Sequence, residues 1–230
     1  MQTSNTIRRQ RRTMAFFNPN QGFGDHKDIA RELFTKTISL LEEFEIAYFV
    51  ISGTLLGLVR HQDFIPWDDD IDLIVDSSIF EKMPQIVERY GDSLAFIKRD
   101  YLIKTFFKDR GLPITNPDAF RNTIDDAGNS GQVYTGPYNW PFVDLFIFSG
   151  SDTDVRFFHQ DWPVEYFYPS ERVLFQGILV TIPRNPDYFL SRNYGPDYMT
   201  VAVSSNFNHR TETSRPPVRK IALHKINEHI

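Results

Sequence analysis

The sequence predicts a single α+β domain in which one mixed sheet is flanked by helices. Helical and strand-like hydrophobic periods alternate over most of the chain, which is the pattern of such a fold. A length of 230 residues suits one domain with a sizeable core. Apolar residues form 41% and charged residues 24% of the chain, which is the composition of a globular protein.

The first part of the chain alternates helices with short strands. Apolar residues recur three and four positions apart where a helix is expected, and β-branched and aromatic residues cluster where a strand is expected. Ser78 followed by Glu81 is a capping-box pattern that opens a helix. The predicted elements are a helix at 25–45, a strand at 47–51, a helix at 54–61, a strand at 71–75 and a helix from Ser78 to about Tyr90.

The second part adds hairpins around a long irregular segment. Residues 109–139 are rich in Gly, Pro, Asn and Asp, so we expect little regular structure there, in a segment that is either functional or mobile. Pro after Asn185 favours a helix start, and Gly195 favours its end. The predicted elements are a hairpin of 93–98 with 101–108, a strand at 143–148, a hairpin of 173–175 with 178–182, and a helix from Asn185 to Gly195.

Charge and composition exclude several classes of function. The chain has no cysteine, so it has no disulfide framework, cysteine–zinc site or thiol nucleophile. Residues 1–12 and 203–230 are basic, and the net charge of −5 leaves about −12 for the body between them. A body this acidic repels nucleic acid. We therefore predict basic tails at 1–24 and 203–230 around a folded domain at 25–202, with no nucleic-acid partner.

The chain shows no sign of a membrane or secretory segment. The basic first residues are not followed by an apolar run of the kind that signal peptides carry. The longest nearly apolar stretch, Ile46–Val59, is too short to cross a bilayer and is interrupted by polar residues and glycines. We therefore expect a soluble, cytoplasmic protein without an integral membrane segment.

An acidic cluster is the most informative feature of the sequence. Six aspartates and no lysine or arginine lie within Asp63–Asp76. Strand alternation places Asp68, Asp70 and Asp72 on one face and the apolar residues that follow on the other. Asp70 and Asp72 then lie together at the start of the strand, about 7 Å apart along the chain. Carboxylates so placed can share a divalent cation, and their hard oxygens favour Mg²⁺ or Mn²⁺. We therefore expect a metal site at Asp70 and Asp72.

A solvated acidic loop and an EF-hand are two other interpretations of the cluster. A solvated acidic loop is the ordinary reason for a run of charges, but here the run is embedded between apolar segments that should be buried. An EF-hand loop that began at Asp68 would need glycine where Leu73 stands and glutamate where Ile79 stands. The EF-hand interpretation is therefore excluded on spacing.

A short polar turn precedes the cluster. Ser52, Gly53 and Thr54 lie between a strand and a helix, where free backbone amides favour an anion and glycine lets a phosphate approach. Such a turn by itself often does no more than separate a strand from a helix, but beside a metal site it suggests a phosphate-binding site. Arg60 could add charge to the same phosphates. An ion pair between Arg60 and Asp63 is an equal alternative.

The strings GTLLGLVRH at 53–61 and FIPWDDDID at 64–72 closely resemble the signature of the LicD family. That family includes bacterial phosphocholine transferases, fukutin and fukutin-related protein. The strand FVDLF at 142–146 resembles the family's third-aspartate strand, and 173–183 and 188–198 resemble its closing hairpin and helix. The chain is thus similar to a minimal LicD-type domain, although it lacks the zinc-binding cysteines of the fukutin-related branch and the membrane anchor and stem of the animal enzymes.

The resemblance implies a nucleotidyltransferase-like fold and a metal-dependent phosphotransferase. Such an enzyme would move a phospho-alcohol from a CDP-linked donor, of CDP-choline or CDP-ribitol type, to a hydroxyl of a saccharide or glycan and release CMP. The expected catalytic and metal-binding residues are Asp70, Asp72 and Asp144, with Asp144 as general base or third metal ligand. The expected donor- and phosphate-binding residues are Ser52, Gly53, Thr54, Arg60, Lys104 and Tyr194.

Alternatives stay open at this stage. Lys104 could instead be a solvent-facing lysine on an edge strand, and Tyr194 could instead pack the last helix onto the sheet. The same aspartates could serve a nucleotidyl- or glycosyltransferase with another nucleotide donor. A catalytically inactive binding module is the third possibility.

Overall fold

The protein is described here from a computed structural model, which covers residues 22–99, 101–116, 138–203, 207–214 and 220–227. Five α-helices lie within these residues. They are α1 (Lys27–Glu43), α2 (Ser52–His61), α3 (Ile79–Tyr90), α4 (Pro186–Tyr194) and α5 (His224–Asn227). Short 3₁₀ turns occupy Gly24–His26 and Val164–Tyr166.

Fifteen strands lie within the same residues. The main ones are β1 (Tyr48–Val50), β2 (Asp72–Asp76), β3 (Leu94–Arg99), β4 (Leu102–Phe107), β7 (Phe142–Gly150), β8 (Asp154–Phe157), β9 (Gln160–Pro163), β10 (Glu171–Phe175) and β11 (Ile178–Ile182). The short ones are β5 (Leu112–Pro113), β6 (Asn139–Trp140), β12 (Val201–Val203), β13 (Phe207–Asn208), β14 (Thr213–Ser214) and β15 (Lys220–Ala222).

The central sheet is mixed, with the strand order β1-β2-β7-β4-β3. Strands β2 and β7 are parallel neighbours, and the other pairs along this path are antiparallel. The far end of β7 also pairs with β8, which pairs with β9. Strand β7 therefore lies at the centre, between the aspartate strand β2 and the lysine-bearing strand β4.

Helices pack on this sheet, and a large core of aromatic and aliphatic side chains lies between them. Helix α1 contacts β7 and β4 through buried residues that recur at helical spacing, among them Leu33, Phe34 and Leu41. Helix α2 packs on β2 and α4. Phe23 stacks on Trp140 with ring centroids 5.8 Å apart, so the core begins ahead of the first helix.

Most predicted elements of the folded domain are confirmed, with shifts at their ends. The mixed sheet flanked by helices is present, and Asn185 caps α4 by accepting a hydrogen bond from the Tyr188 amide. Helix α2 begins at Ser52 rather than Thr54. The capping-box prediction at Ser78 is wrong, because its side chain caps nothing and the Ser78 amide instead donates to Asp76.

The pairs β5–β6, β8–β9, β12–β15 and β13–β14 were not predicted. Within the predicted irregular segment, residues 112–113 and 139–140 pair as β5 and β6, and residues 117–137 lie outside the described residues. Residues 1–21 of the predicted N-terminal tail also lie outside them. None of the described helices combines the length and the apolar character that crossing a bilayer requires.

Candidate active site

The site forms where the start of β2 meets the start of α2. The Thr54 hydroxyl accepts a hydrogen bond from the Asp72 amide at 2.9 Å, and the Ile51 amide donates to the Asp72 carbonyl at 3.4 Å. Thr54 is only 3% exposed. The structure therefore gives Thr54 a supporting position, in which it joins α2 to β2, and the phosphate contact expected from the sequence stays a prediction.

Three carboxylates of the acidic cluster line one cavity of about 220 Å³. Asp72 is the first residue of β2, while Asp68 and Asp70 lie in the loop before it. The cavity is also lined by the following residues: Gly53, Leu56, Arg60, Ile65, Trp67, Tyr194, Val201 and Val203. The structure thus brings Asp70 and Asp72 together, and Asp68, which strand alternation also placed on their face, lines the same cavity.

The carboxylates strongly disfavour one another's charge. Burial, followed by the charges of Asp70 and Asp69, raises the pKa of Asp68 well above its usual range. Burial, followed by the charges of Asp70 and Asp144, likewise raises the pKa of Asp72, and Lys104 only partly opposes this rise. A group of negative charges that raise one another's pKa values is an environment in which a bound cation is favourable.

The absence of a side chain at Gly53 makes room for Asp68. A methyl group at Gly53 would overlap the Asp68 carboxylate oxygen Oδ2. The residue before it, Ser52, has a φ of +50°, a left-handed conformation that non-glycine residues seldom adopt. Ser52 and Gly53 occupy the first turn of α2, where backbone amides have no partner within the helix.

Asp144 lies in a row of charged side chains that crosses the centre of the sheet. Asp72 pairs in register with Asp144, and Asp144 pairs in register with Lys104. Residues in register on adjacent strands lie on the same face, about 5 Å apart. Strand pairing therefore brings Asp144, the third predicted aspartate, beside Asp72 of β2.

Lys104 and Asp144 form a buried ion pair. The ammonium group donates to both Asp144 oxygens, at 2.7 and 2.9 Å, and lies 3.5 Å from the centroid of the Phe142 ring. Lys104 is 3% and Asp144 is 4% exposed. Burial raises the pKa of Asp144, and the Lys104 charge lowers it. The alternative of a solvent-facing edge lysine is wrong, because β4 is an inner strand and Lys104 is buried.

Arg60 forms one wall of the cavity and joins two parts of the chain. Its Nη1 donates to the carbonyls of Tyr198 at 2.7 Å and Val201 at 3.1 Å. Burial lowers the pKa of Arg60, and the charges of Tyr194 and Asp68 oppose this. The alternative of an Arg60–Asp63 ion pair is not what the structure shows, because Asp63 pairs with Lys27.

Tyr194 ends α4 and faces the carboxylates across the cavity. Burial, followed by the charges of Asp68, Asp72 and Asp70, raises the pKa of its hydroxyl well above the usual value. The hydroxyl therefore stays protonated and can donate a hydrogen bond into the cavity. Its position on the cavity wall is compatible with the predicted donor contact, and Tyr194 also packs against the core as its alternative predicted.

Two site residues were missed by the sequence analysis because they lie in the predicted basic tail. His209 Nε2 lies 3.2 Å from the Asp70 oxygen Oδ2. The Glu212 carboxylate lies 3.9 Å from Lys104 Nζ and 3.8 Å from His209 Nδ1. A histidine followed three residues later by a glutamate was the only signal in the sequence, and that spacing is common to many unrelated segments.

The donor set of this site fits a divalent cation. Ligand atoms of Asp69, Asp70 and His209 all lie within 4.8 Å of one another, and Asp70 also belongs to the carboxylate group of the cavity. Carboxylate oxygens with one imidazole nitrogen suit ions such as Mn²⁺ and Mg²⁺. Asp144 is not part of this three-residue group, although its register places it next to Asp72.

Comparisons with known proteins match the sequence of this chain to one family. A family model described as LicD/FKTN/FKRP, nucleotidyltransferase domain, matches residues 45–185, which contain the whole acidic cluster and the β7 aspartate. An uncharacterized protein of Rickettsia typhi is 29% identical over 178 residues, which cover 75% of this chain and 47% of that protein.

Two similar proteins carry functional names. The lipopolysaccharide cholinephosphotransferase LicD of Haemophilus influenzae is 40% identical over 48 residues, covering 21% of this chain and 18% of its own length. The human ribitol 5-phosphate transferase FKRP is 44% identical over 172 residues, covering 72% of this chain and 31% of its own length. The chain thus spans less than half the length of each of these relatives. The family match covers more than half of the chain and includes its acidic cluster, so the protein belongs to the LicD/FKTN/FKRP family of nucleotidyltransferase domains.

Proposed function

We propose that this chain is a Mg²⁺- or Mn²⁺-dependent transferase that moves a phospho-alcohol from a CDP-linked donor to a hydroxyl of a saccharide or glycan. The observation that carries the proposal is the convergence of Asp68, Asp70 and Asp72 on one cavity at the start of α2. The names of the LicD and FKRP relatives support choline phosphate or ribitol phosphate as the transferred group. The proposed location is the cytoplasm.

Asp70 and Asp72 are the residues that would hold the cation. A divalent ion held there supplies positive charge against the diphosphate of the donor. Asp68 is held against the first turn of α2, where Gly53 leaves space for it, and adds negative charge to the same cavity wall. A cation bound between the three carboxylates would offset the repulsion among their charges.

The donor phosphates are proposed to rest on the first turn of α2. Ser52 and Gly53 begin that turn, where backbone amides have no partner within the helix, and Thr54 fixes its position relative to Asp72. Arg60 and Tyr194 border the same cavity and can donate to a phosphate or a ribose hydroxyl. Lys104 acts on the phosphates only indirectly in this proposal, because it is held by Asp144.

Asp144 is proposed to accept the proton of the acceptor hydroxyl. In this step the hydroxyl oxygen bonds to the phosphorus that carries the alcohol, the bond from that phosphorus to the CMP oxygen breaks, and CMP leaves with the bonding electrons. Burial strengthens Asp144 as a base, while Lys104 keeps it ionised before the reaction. A carboxylate has lone pairs for both Lys104 and a further partner, so the role of third metal ligand stays compatible with the ion pair.

The proposal is tested by incubating the protein with CDP-choline, CDP-ribitol, UDP-sugars and ATP in the presence of Mn²⁺ or Mg²⁺. We expect thermal stabilisation by CDP-alcohols above that by the other nucleotides, and CMP release when a glycan acceptor is added. Asp144→Asn should abolish CMP release with little effect on metal-dependent donor binding. Asp152→Asn, in an exposed loop, is the matched control and should behave as wild type.

Other outcomes would overturn the proposal in defined ways. Preferential stabilisation and turnover of a UDP-sugar or ATP would identify a glycosyl- or nucleotidyltransferase that uses the same aspartates. Absence of any metal-dependent nucleotide binding would identify a binding module without this catalysis. CMP release by Asp144→Asn at the wild-type rate would remove Asp144 from the role of base.

A further inference from the structure

Residues 207–214 pack against the candidate active site although they lie beyond the part of the chain that the family model matches. Strands β13 and β14 form a tight pair. Between them, the Arg210 guanidinium lies 4.3 Å from the centroid of the Trp140 ring. Asn116 donates from its side chain to the Glu212 carbonyl at 2.7 Å. Contacts at Arg210 and Glu212, which both follow His209, therefore hold this segment against the rest of the domain.

His209 is directed at the acidic cluster. Its Nε2 lies 3.2 Å from Asp70 Oδ2, and its ring packs against the rings of Phe207 and Phe142, with centroids 5.0 and 6.0 Å away. The side chain is 19% exposed. Two donor atoms on adjacent corners of an octahedral ion, with bonds of about 2.1 Å, lie about 3 Å apart. The His209–Asp70 separation matches that spacing.

Glu212 lies near the other nitrogen of the imidazole. Its carboxylate lies 3.8 Å from His209 Nδ1 and 3.9 Å from Lys104 Nζ, and the Glu212 side chain is 6% exposed. A carboxylate behind a metal-binding histidine raises the basicity of the ring and fixes its orientation. The turn thus links the acidic cluster, through His209 and Glu212, to the Lys104–Asp144 pair.

We propose that His209 Nε2 is a ligand of the cation held at Asp70, supplied by the C-terminal segment, and that it biases the site toward Mn²⁺ over Mg²⁺. This inference rests on the cation of the proposed function. Imidazole nitrogen is a good ligand for Mn²⁺ and other transition ions, whereas Mg²⁺ strongly prefers an all-oxygen shell. Glu212 is a positioning residue in this arrangement.

The competing explanation is a simple charge pair between a protonated His209 and Asp70, with the cation bound by oxygens alone. The two explanations differ in whether nitrogen is bonded to the metal. Electron spin echo envelope modulation of the full chain loaded with Mn²⁺ alone measures this directly. We expect modulation from a coordinated nitrogen in wild type, and a changed frequency pattern when the histidines are labelled with ¹⁵N.

Variants make the assignment specific. His209→Gln should lose the nitrogen modulation and weaken Mn²⁺ binding about tenfold or more in titration calorimetry, while Mg²⁺ binding changes much less. His224→Gln removes an exposed histidine on α5 and should match wild type in both measurements. If His209→Gln does not fold, the ¹⁵N comparison on wild type decides the question without it.

The inference and the function it rests on can fail separately. Mn²⁺ bound without nitrogen modulation, together with CMP release from a CDP-alcohol, would overturn the role of His209 and leave the transferase proposal standing. Equal Mn²⁺ affinity in wild type and His209→Gln would overturn it in the same way. No binding of Mn²⁺ to the chain at all would overturn both.

Discussion

The Thr54 hydroxyl accepts a hydrogen bond from the Asp72 amide at 2.9 Å, and this bond joins the start of helix α2 to the start of strand β2. The candidate site has two parts, the first turn of α2 and the aspartates around β2. Their relative position depends on that junction. Thr54 is buried, so its hydroxyl has a structural use that is independent of any ligand.

We expect Thr54→Val to destabilise the protein by about 1–3 kcal/mol, because the Asp72 amide then stays buried without its partner. Thr54→Ser keeps the hydroxyl and should recover most of the loss. Urea unfolding measures the stability, and Mn²⁺ titration measures how well Asp72 keeps its position. Wild-type stability and Mn²⁺ affinity in Thr54→Val would show that the bond does not matter.

Gly53→Ala should impair metal and nucleotide binding while the domain stays folded. The added methyl group overlaps the Asp68 carboxylate, which must then move out of its place beside α2. We expect a loss of at least tenfold in Mn²⁺ affinity in a calorimetric titration, with a far-ultraviolet circular dichroism spectrum like that of wild type. Gly150→Ala is the control, because its nearest neighbour would be a carbonyl oxygen 4.0 Å away.

Asp70→Asn should have opposite effects on stability without and with metal. Removing this charge relieves the repulsion that raises the pKa values of Asp68 and Asp72, so the metal-free protein should gain about 0.5–2 kcal/mol. The same change should abolish the stabilisation that Mn²⁺ gives to wild type. Thermal unfolding with a chelator and with Mn²⁺ compares the two states. A metal-free variant that is less stable than wild type would contradict the account of charge crowding.

Lys104→Met should cost about 3–5 kcal/mol, because it leaves the Asp144 carboxylate buried without its counter-charge. The double variant Lys104→Met with Asp144→Asn removes both charges and should recover most of that loss. Urea unfolding of the wild type, both single variants and the double variant gives the coupling energy between the two residues. Independent, additive effects would mean that the ion pair does not couple them.

His61 should make the protein sensitive to acid. Burial, followed by the nearby Arg60 charge, lowers the pKa of His61 from 6.5 to about 4. The unfolded chain therefore binds this proton more readily, and stability is lost as the pH falls from about 6.5 toward 4.

His61→Gln keeps an acceptor for the Arg60 Nε hydrogen bond but has no such titration. The stability of wild type should therefore fall relative to that of His61→Gln between pH 7.5 and pH 5, as followed by urea unfolding. The exposed His159 is the control position, and His159→Gln should follow wild type. An unchanged difference between wild type and His61→Gln across this range would contradict the assignment.

The sequence predicted those parts of the molecule that depend on neighbouring residues. Hydrophobic spacing located α1, β2 and β7, and the motif around Asp70 and Asp72 identified the family that the family model confirms. These predictions succeeded because helical and strand periods, and compact motifs, lie within a few consecutive positions. The Ser78 capping prediction failed because Asp76, which lies just outside the four-residue pattern, accepts the hydrogen bond of the Ser78 amide.

What only the tertiary structure decided is the set of partners that come from distant parts of the chain. Lys104 meets Asp144 because β7 lies between β2 and β4, an order that no local pattern contains. Arg60 is held by carbonyls of residues 198 and 201 rather than by the nearby Asp63. His209 reaches Asp70 across 139 positions of sequence. Contacts of this kind follow from the order of strands and the packing of the core. The aspartates, Arg60 and Lys104 could therefore be named from the sequence, whereas the partners of these cations and the presence of His209 in the site followed only from the folded chain.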